Sequence, residues 1–163
     1  MNQQHVHKIF NSEAGLAAFF LRIPVGIILA AHGAQKLFGW FGGYGLEGTG
    51  QWMASIGLEP GYLMALMAGS AEFFGGIALV VGLLARPAAL VSAVTMVVAI
   101  VTVHLDNGLF MSNNGYEFAL TLLAAAVALT IQGAGSYSAD KVIAVNFLSG
   151  NSEPSPQAAT TLA

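Results

Sequence analysis

Residues 61–85 read GYLMALMAGSAEFFGGIALVVGLLA. A helix needs about 20 residues to cross the hydrocarbon layer of a bilayer, and this run is long enough with a single charge, Glu72, near its middle. A carboxylate in lipid is costly unless it is paired or faces protein or water. The stretch therefore predicts a transmembrane helix and a bundle whose interior receives Glu72. On that helix Glu72 shares a side with Ala65, Ala68, Gly69 and Gly76, small residues that let two helices approach closely.

The rest of the chain agrees with a lipid solvent. Of 163 residues, 56% are hydrophobic and 8% charged, against about 25% charged in an ordinary soluble domain. Mean hydropathy is +0.71. Cysteine is absent, which removes disulfides, thiol chemistry and Cys-based metal or iron–sulfur sites. A net charge of −3 argues against a nucleic-acid surface. The first twelve residues are polar, with His5, His7 and Lys8, and the apolar segment after them is interrupted by Arg22. That pattern is not a cleavable signal, so the segment is expected to be a retained span.

The predicted fold is all-α: an integral membrane four-helix transmembrane bundle with a Gly/Trp-rich outer loop. One domain covers residues 1–150, with spans over 16–38, 61–85, 87–105 and 116–132, and residues 151–163 read as a disordered tail. Eight glycines lie from Gly39 through Gly61, beside Trp40, Phe41, Tyr44 and Trp52. Indoles settle at the headgroup level, so this connection is expected to be interfacial, with a short helix over 49–56. It carries no phosphate-binding GxxxxGK[ST] pattern.

Lys8, Arg22, Arg86 and Lys141 fall on one side of a four-span chain and Lys36 on the other. By the positive-inside rule, both termini are expected in the cytoplasm.

Six residues form the candidate polar interior: Arg22, His32, Lys36, Glu72, His104 and Glu117. Arg22, His32 and Lys36 lie within an arc of about 80° on the first helix. Glu117 shares a side of the fourth with Thr121, Ala124 and Ala128. Counting helical rise places Glu72 near the midplane, His32 about one turn farther out, and Lys36, His104 and Glu117 near the outer boundary. Arg22 lies in the inner half, and Glu72 is expected to pair with Arg22 or Lys36. Such a pair either locks the bundle or handles a ligand or proton. His32 and His104 lack HExxH or HxxxH spacing, and no metal is expected. They also lie too far outward for axial haem ligands. A faint internal echo sets His32 and Glu72-Phe73 beside His104 and Glu117-Phe118, as two parallel hairpins would.

The order and spacing of several short stretches resemble the DoxX family of small bacterial inner-membrane proteins. They include Arg22-Ile-Pro-Val-Gly26, His32-Gly33, Lys36-Leu-Phe-Gly-Trp-Phe-Gly-Gly43 and Gly57-Leu-Glu-Pro60. Farther along are Glu72-Phe-Phe-Gly-Gly76, Gly82-Leu-Leu-Ala-Arg-Pro87, His104, Gly115-Tyr-Glu117 and Gly133-Ala-Gly-Ser136 with Asp140. The resemblance spans about Leu16 to Asp140 and implies a four-span bundle. It also implies an association with quinol or thiosulfate:quinone oxidoreductases, or with membrane oxidoreductase components linked to catechol, quinone or redox stress.

No dinucleotide or flavin-type glycine pattern is present, so any redox cofactor is expected to be a diffusible quinone or to belong to a partner. The leading expectation is a membrane component of a quinone-linked or redox-stress system, contacting quinone or a small aromatic molecule and acting as an accessory subunit. The lipid bilayer, a redox-enzyme partner and a homo-oligomer are the expected associations. The alternative is a non-catalytic assembly or binding module. A small-solute or proton transporter is disfavoured by the small interior of four short spans.

Overall fold

The computed structural model describes residue 12 and residues 14–148. The expected tail at 151–163 lies outside the described residues, as does Lys8. Helix α1 is Gly15–Phe38, followed by a 3-10 turn at Trp40–Gly42 and helix α2 at Gly45–Ser55. Helix α3 is Gly61–Val81, and α4 is Ala85–Ala99. The latter runs on through a π-turn at Ile100–His104 and a 3-10 turn at Leu105–Asn107. Helix α5 is Glu117–Gln132, and α6 is the short Ala139–Ile143.

Three of these helices are long and apolar enough to cross a membrane: Gly15–Phe38, Gly61–Val81 and Ala85–Asn107. The fourth, α5, is apolar but has 16 residues, about 24 Å of helical rise. Together they make an all-α membrane bundle. Helices α1 and α3 form one antiparallel pair and α4 and α5 the other, with α2 lying over the N-terminal end of α3.

The burial pattern follows the period of the helix. Helix α3 buries Gly61, Ala65, Gly69, Glu72, Gly76 and Leu79, one every three or four residues, while Met67, Phe74 and Ile77 stay on the outside. That stripe meets Val25, Gly26, Leu29 and Gly33 of α1. A Cβ on Gly26 would lie 2.6 Å from the Gly76 carbonyl oxygen, and one on Gly33 would lie 2.7 Å from that of Gly69. Both distances are shorter than side-chain contacts tolerate, so glycine is what lets the two backbones touch. The apolar core continues through Leu79, Ala89, Met96, Ala119, Leu122 and Leu129.

Several boundaries differ from the sequence reading. The second span ends at Val81 rather than 85, because Gly82 adopts the left-handed conformation (φ 72°) and caps the helix. The third begins at Ala85 rather than 87, because Asp140 Oδ1 and Oδ2 accept the N–H groups of Leu84 and Ala85 at 2.7 and 2.9 Å. Those bonds hold Leu84 at φ 50°, a conformation that costs a non-glycine residue about 1 kcal/mol or more. The interfacial helix starts at Gly45, four residues earlier than expected.

Candidate functional site

Helices α1 and α3 carry the central charge pair. Their close backbone contact brings Lys36 Nζ to 2.6 Å from Glu72 Oε2. The Glu72 side chain is 4% exposed and that of Lys36 is 24% exposed. The expected cation on α1 is therefore Lys36, one turn beyond His32 on the same face.

The pair opens onto a cavity of about 490 Å³ in the half of the bundle that carries α2. Its polar lining includes His32, Lys36, Glu72 and His104, with Thr95, Thr102 and Asn114; its apolar walls include Leu29, Met96, Phe118 and Leu122. Helix α2 roofs it with Trp52 and Met53. The size falls within the range of small-molecule sites, about 300–1,000 Å³, and a mostly apolar lining with a few converging polar groups is their usual chemistry.

Each polar group is held by its surroundings. The His32 ring lies 5.9 Å from that of Phe118. His104 Nδ1 is 2.8 Å from the Asn114 carbonyl oxygen. A carbonyl only accepts, so Nδ1 carries the proton and donates; in the neutral ring Nε2 is left as the acceptor. The π-turn at Ile100–His104 widens the end of α4 and sets Thr102, Val103 and His104 on the cavity wall. Single π-turns within α-helices recur at functional sites.

Two candidate residues stand apart from the cavity. Arg22 is 1% exposed and points to the opposite end of the bundle, at the C-terminus of α3 and away from Glu72. Its guanidinium donates to the Leu79 carbonyl at 2.7 Å and to that of Val80, capping the C-terminus of α3. It also donates to Ala134 at 3.1 Å and to Tyr137 at 2.7 Å, and lies 5.2 Å from the Phe19 ring centroid. Glu117, in the first turn of α5, accepts the Met111 N–H at 2.6 Å and ties down the loop before α5. The hairpin echo thus places Glu72 and Glu117 in different surroundings.

Sequence reasoning gave Asp140 no place in the candidate site and named it only among the residues that carry the family resemblance. It is 1% exposed and ties the start of α4 to the segment after α5. Burial pushes its carboxyl up from the ordinary value, while the Ala85 and Leu84 N–H donors and then Arg22 and Arg86 pull it down. Arg86 donates to the carbonyls of Thr130, Ile131 and Gln132 at the end of α5. This end of the bundle is thus a knot of helix caps, with cations at helix C-termini and a carboxylate at an N-terminus, as the helix dipole favours. In the sequence, Arg22, Arg86 and Asp140 stood out among the resembling stretches, but nothing there showed that they meet.

Among the described residues, no group of three or more His, Cys, Asp or Glu converges as metal ligands would. The bundle and its cavity define a small multi-pass membrane protein with a charged, partly enclosed interior site. The DoxX family model matches residues 17–105, and the chain belongs to the DoxX family. It is 35% identical over 120 residues to the Bacillus subtilis (strain 168) protein named "Putative oxidoreductase CatD", covering 74% of this chain and 83% of that one. It is 31% identical over 128 residues to the Escherichia coli (strain K12) "Inner membrane protein YqjF", covering 73% and 92% respectively. No solved structure matches.

Proposed function

We propose that this protein is the membrane component of a quinone-linked or redox-stress oxidoreductase system, and that a quinone or small aromatic molecule enters the outer cavity. The observation that carries the reading is the Lys36–Glu72 pair, set with His32 and His104 on the wall of an otherwise largely apolar cavity. The family and the name of the Bacillus relative support it.

A quinone ring is flat, apolar on both faces and an acceptor at two opposite oxygens. The apolar walls suit its faces. Lys36 retains ammonium protons beyond the one directed at Glu72, and these are donors for one ring oxygen. Reduction of a quinone requires protons as well as electrons. Glu72 and the imidazoles of His32 and His104 are the groups able to carry protons at the cavity wall. The electrons come from a partner redox protein, which makes this chain an accessory subunit. The bilayer is the cytoplasmic membrane, with both ends of the chain on the cytoplasmic side.

The test is quinone reduction in membrane vesicles from cells with and without the protein. Vesicles containing it should reduce quinone faster, and His104→Ala should remove the difference. Equal rates with and without the protein would overturn the reading.

A second reading rests on the exposed aromatic segment. Trp40, Phe41 and Tyr44 are 55%, 73% and 84% exposed, which suits an assembly module that docks a partner or a second copy at the outer interface. Purification in mild detergent separates the two, because the assembly reading requires stoichiometric protein and no dependence on cavity residues.

A further inference from the structure

A second cavity, of about 420 Å³, lies between α3 and α4. It shares Met53, Leu58, Ala68, Thr95 and Val98 with the polar cavity, so the two adjoin along these residues. Its remaining walls are apolar: Met64, Met67 and Ala71 from α3, and Leu90, Val91 and Val94 from α4. Met67, Leu90, Val91 and Val94 are 59%, 53%, 48% and 56% exposed on the outside of the bundle, where the solvent is lipid. Toward the C-terminal end of α3 the two helices come together, and a Cβ on Gly75 would lie 3.1 Å from Ser92 Oγ. The cleft thus lies between the lipid-facing surface of α3 and α4 and the cavity that holds the Lys36–Glu72 pair.

We propose that the two cavities hold one molecule: a neutral ring head beside Lys36 and Glu72, and a single apolar chain lying between α3 and α4. The proposal rests on the quinone reading and narrows it to tailed, membrane-borne quinones rather than small water-soluble aromatics. Three features select this occupant. The cleft has no charged lining residue. The ammonium in the adjoining cavity is already neutralised by Glu72, which disfavours a phospholipid phosphate there. Met53, Met64 and Met67 are unbranched and polarizable, and adapt to a flexible chain. Entry is sideways from the bilayer, so the head reaches the ion pair without crossing water.

The test uses Trp52, which lines the polar cavity. Trp40→Phe leaves Trp52 as the single tryptophan, since the chain has two. Saturable quenching of its fluorescence in nanodiscs is measured with 2,3-dimethoxy-5-methyl-1,4-benzoquinone and with its 6-decyl derivative. Concentrations are expressed per lipid, and Ala71→Phe and Val94→Phe fill the cleft from opposite walls. Lipid is as apolar as the cleft, so the gain from the chain comes from packing contacts and should be about three- to tenfold. Either cleft-filling variant should remove that gain and leave bare-ring affinity unchanged, whereas Ile77→Phe on the outer surface should change neither. If both quinones bind equally and neither cleft variant matters, the ring site stands and the tail proposal falls. The tail proposal falls as well if the cleft variants weaken both quinones alike. If neither quinone quenches saturably, the quinone reading itself fails and takes this proposal with it.

Discussion

Lys36 Nζ sits 2.6 Å from Glu72 Oε2, and this one contact joins α1 to α3 through an ion pair inside the bundle. It lies where the two helices are already in backbone contact at Gly33 and Gly69. Close packing brings the charges together, and the pair in turn makes a carboxylate tolerable in the interior.

Breaking that pair from one side should cost more than removing it. Glu72→Gln or Lys36→Met alone should destabilise the detergent-solubilised protein by about 1–3 kcal/mol, below the range for fully buried pairs because Lys36 is partly exposed. The double variant should be more stable than the sum of the singles predicts. Thermal unfolding across the double-mutant cycle measures this, and strict additivity would contradict it.

The glycine contact should be sensitive to single methyl groups. Gly26→Ala and Gly76→Ala should each lower stability by about 1–3 kcal/mol, because the added carbon meets backbone rather than a movable side chain. Ile77→Leu, on the outer face at 42% exposure, should be nearly neutral. Melting of all three variants under one detergent condition makes the comparison.

Arg22 should behave as a structural cap. Arg22→Gln leaves several carbonyls without their donor, and expression or melting temperature should drop sharply. Lys should rescue poorly, because one ammonium cannot reproduce the spread of the guanidinium fork. The fraction that folds should bind ligand within about twofold of wild type, a difference of under half a kcal/mol. A folded Arg22→Gln protein with greatly reduced affinity would place Arg22 in the binding machinery.

Asp140 should give stability a pH dependence. Its folded pKa is raised above the ordinary value, chiefly by burial, so the folded state holds that proton more tightly than the unfolded one. The associated stability is fully present below the unfolded value and is lost as pH rises through the folded one. Asp140→Asn should remove this slope and lower stability throughout, since its amide nitrogen cannot accept the second backbone N–H. Denaturation midpoints measured from mildly acidic to neutral pH provide the check; a slope that persists in the variant would assign it to another group.

The absence of cysteine makes topology directly testable. Ser55→Cys and Asn113→Cys, both at exposed positions on the side proposed to face outward, should react with a membrane-impermeant maleimide in intact cells. Lys141→Cys, at the opposite end, should react only after lysis. Labelling of Lys141→Cys in intact cells would reverse the proposed orientation.

The sequence by itself determined the solvent and the element type. Long apolar runs at 61–85 and elsewhere specify membrane helices, and the spacing of Gly69, Glu72 and Gly76 specifies which side of α3 faces protein. Hydropathy and helical period are local properties, so they are legible one segment at a time. Only the tertiary structure decided how the charges were distributed. Arg22 and Lys36 share one face of α1, and nothing local says which of them meets Glu72. The choice depends on how far α3 slides along α1, and the glycine contacts at Gly26–Gly76 and Gly33–Gly69 set that register. It brings Lys36 level with Glu72 and leaves Arg22 beside the frayed carbonyls of Leu79 and Val80. The cavity has the same origin: α4 approaches α3 closely at Gly75 and Ser92, while the π-turn opens its C-terminal end. No segment encodes that empty volume, because it is the space left between helices whose contacts lie elsewhere.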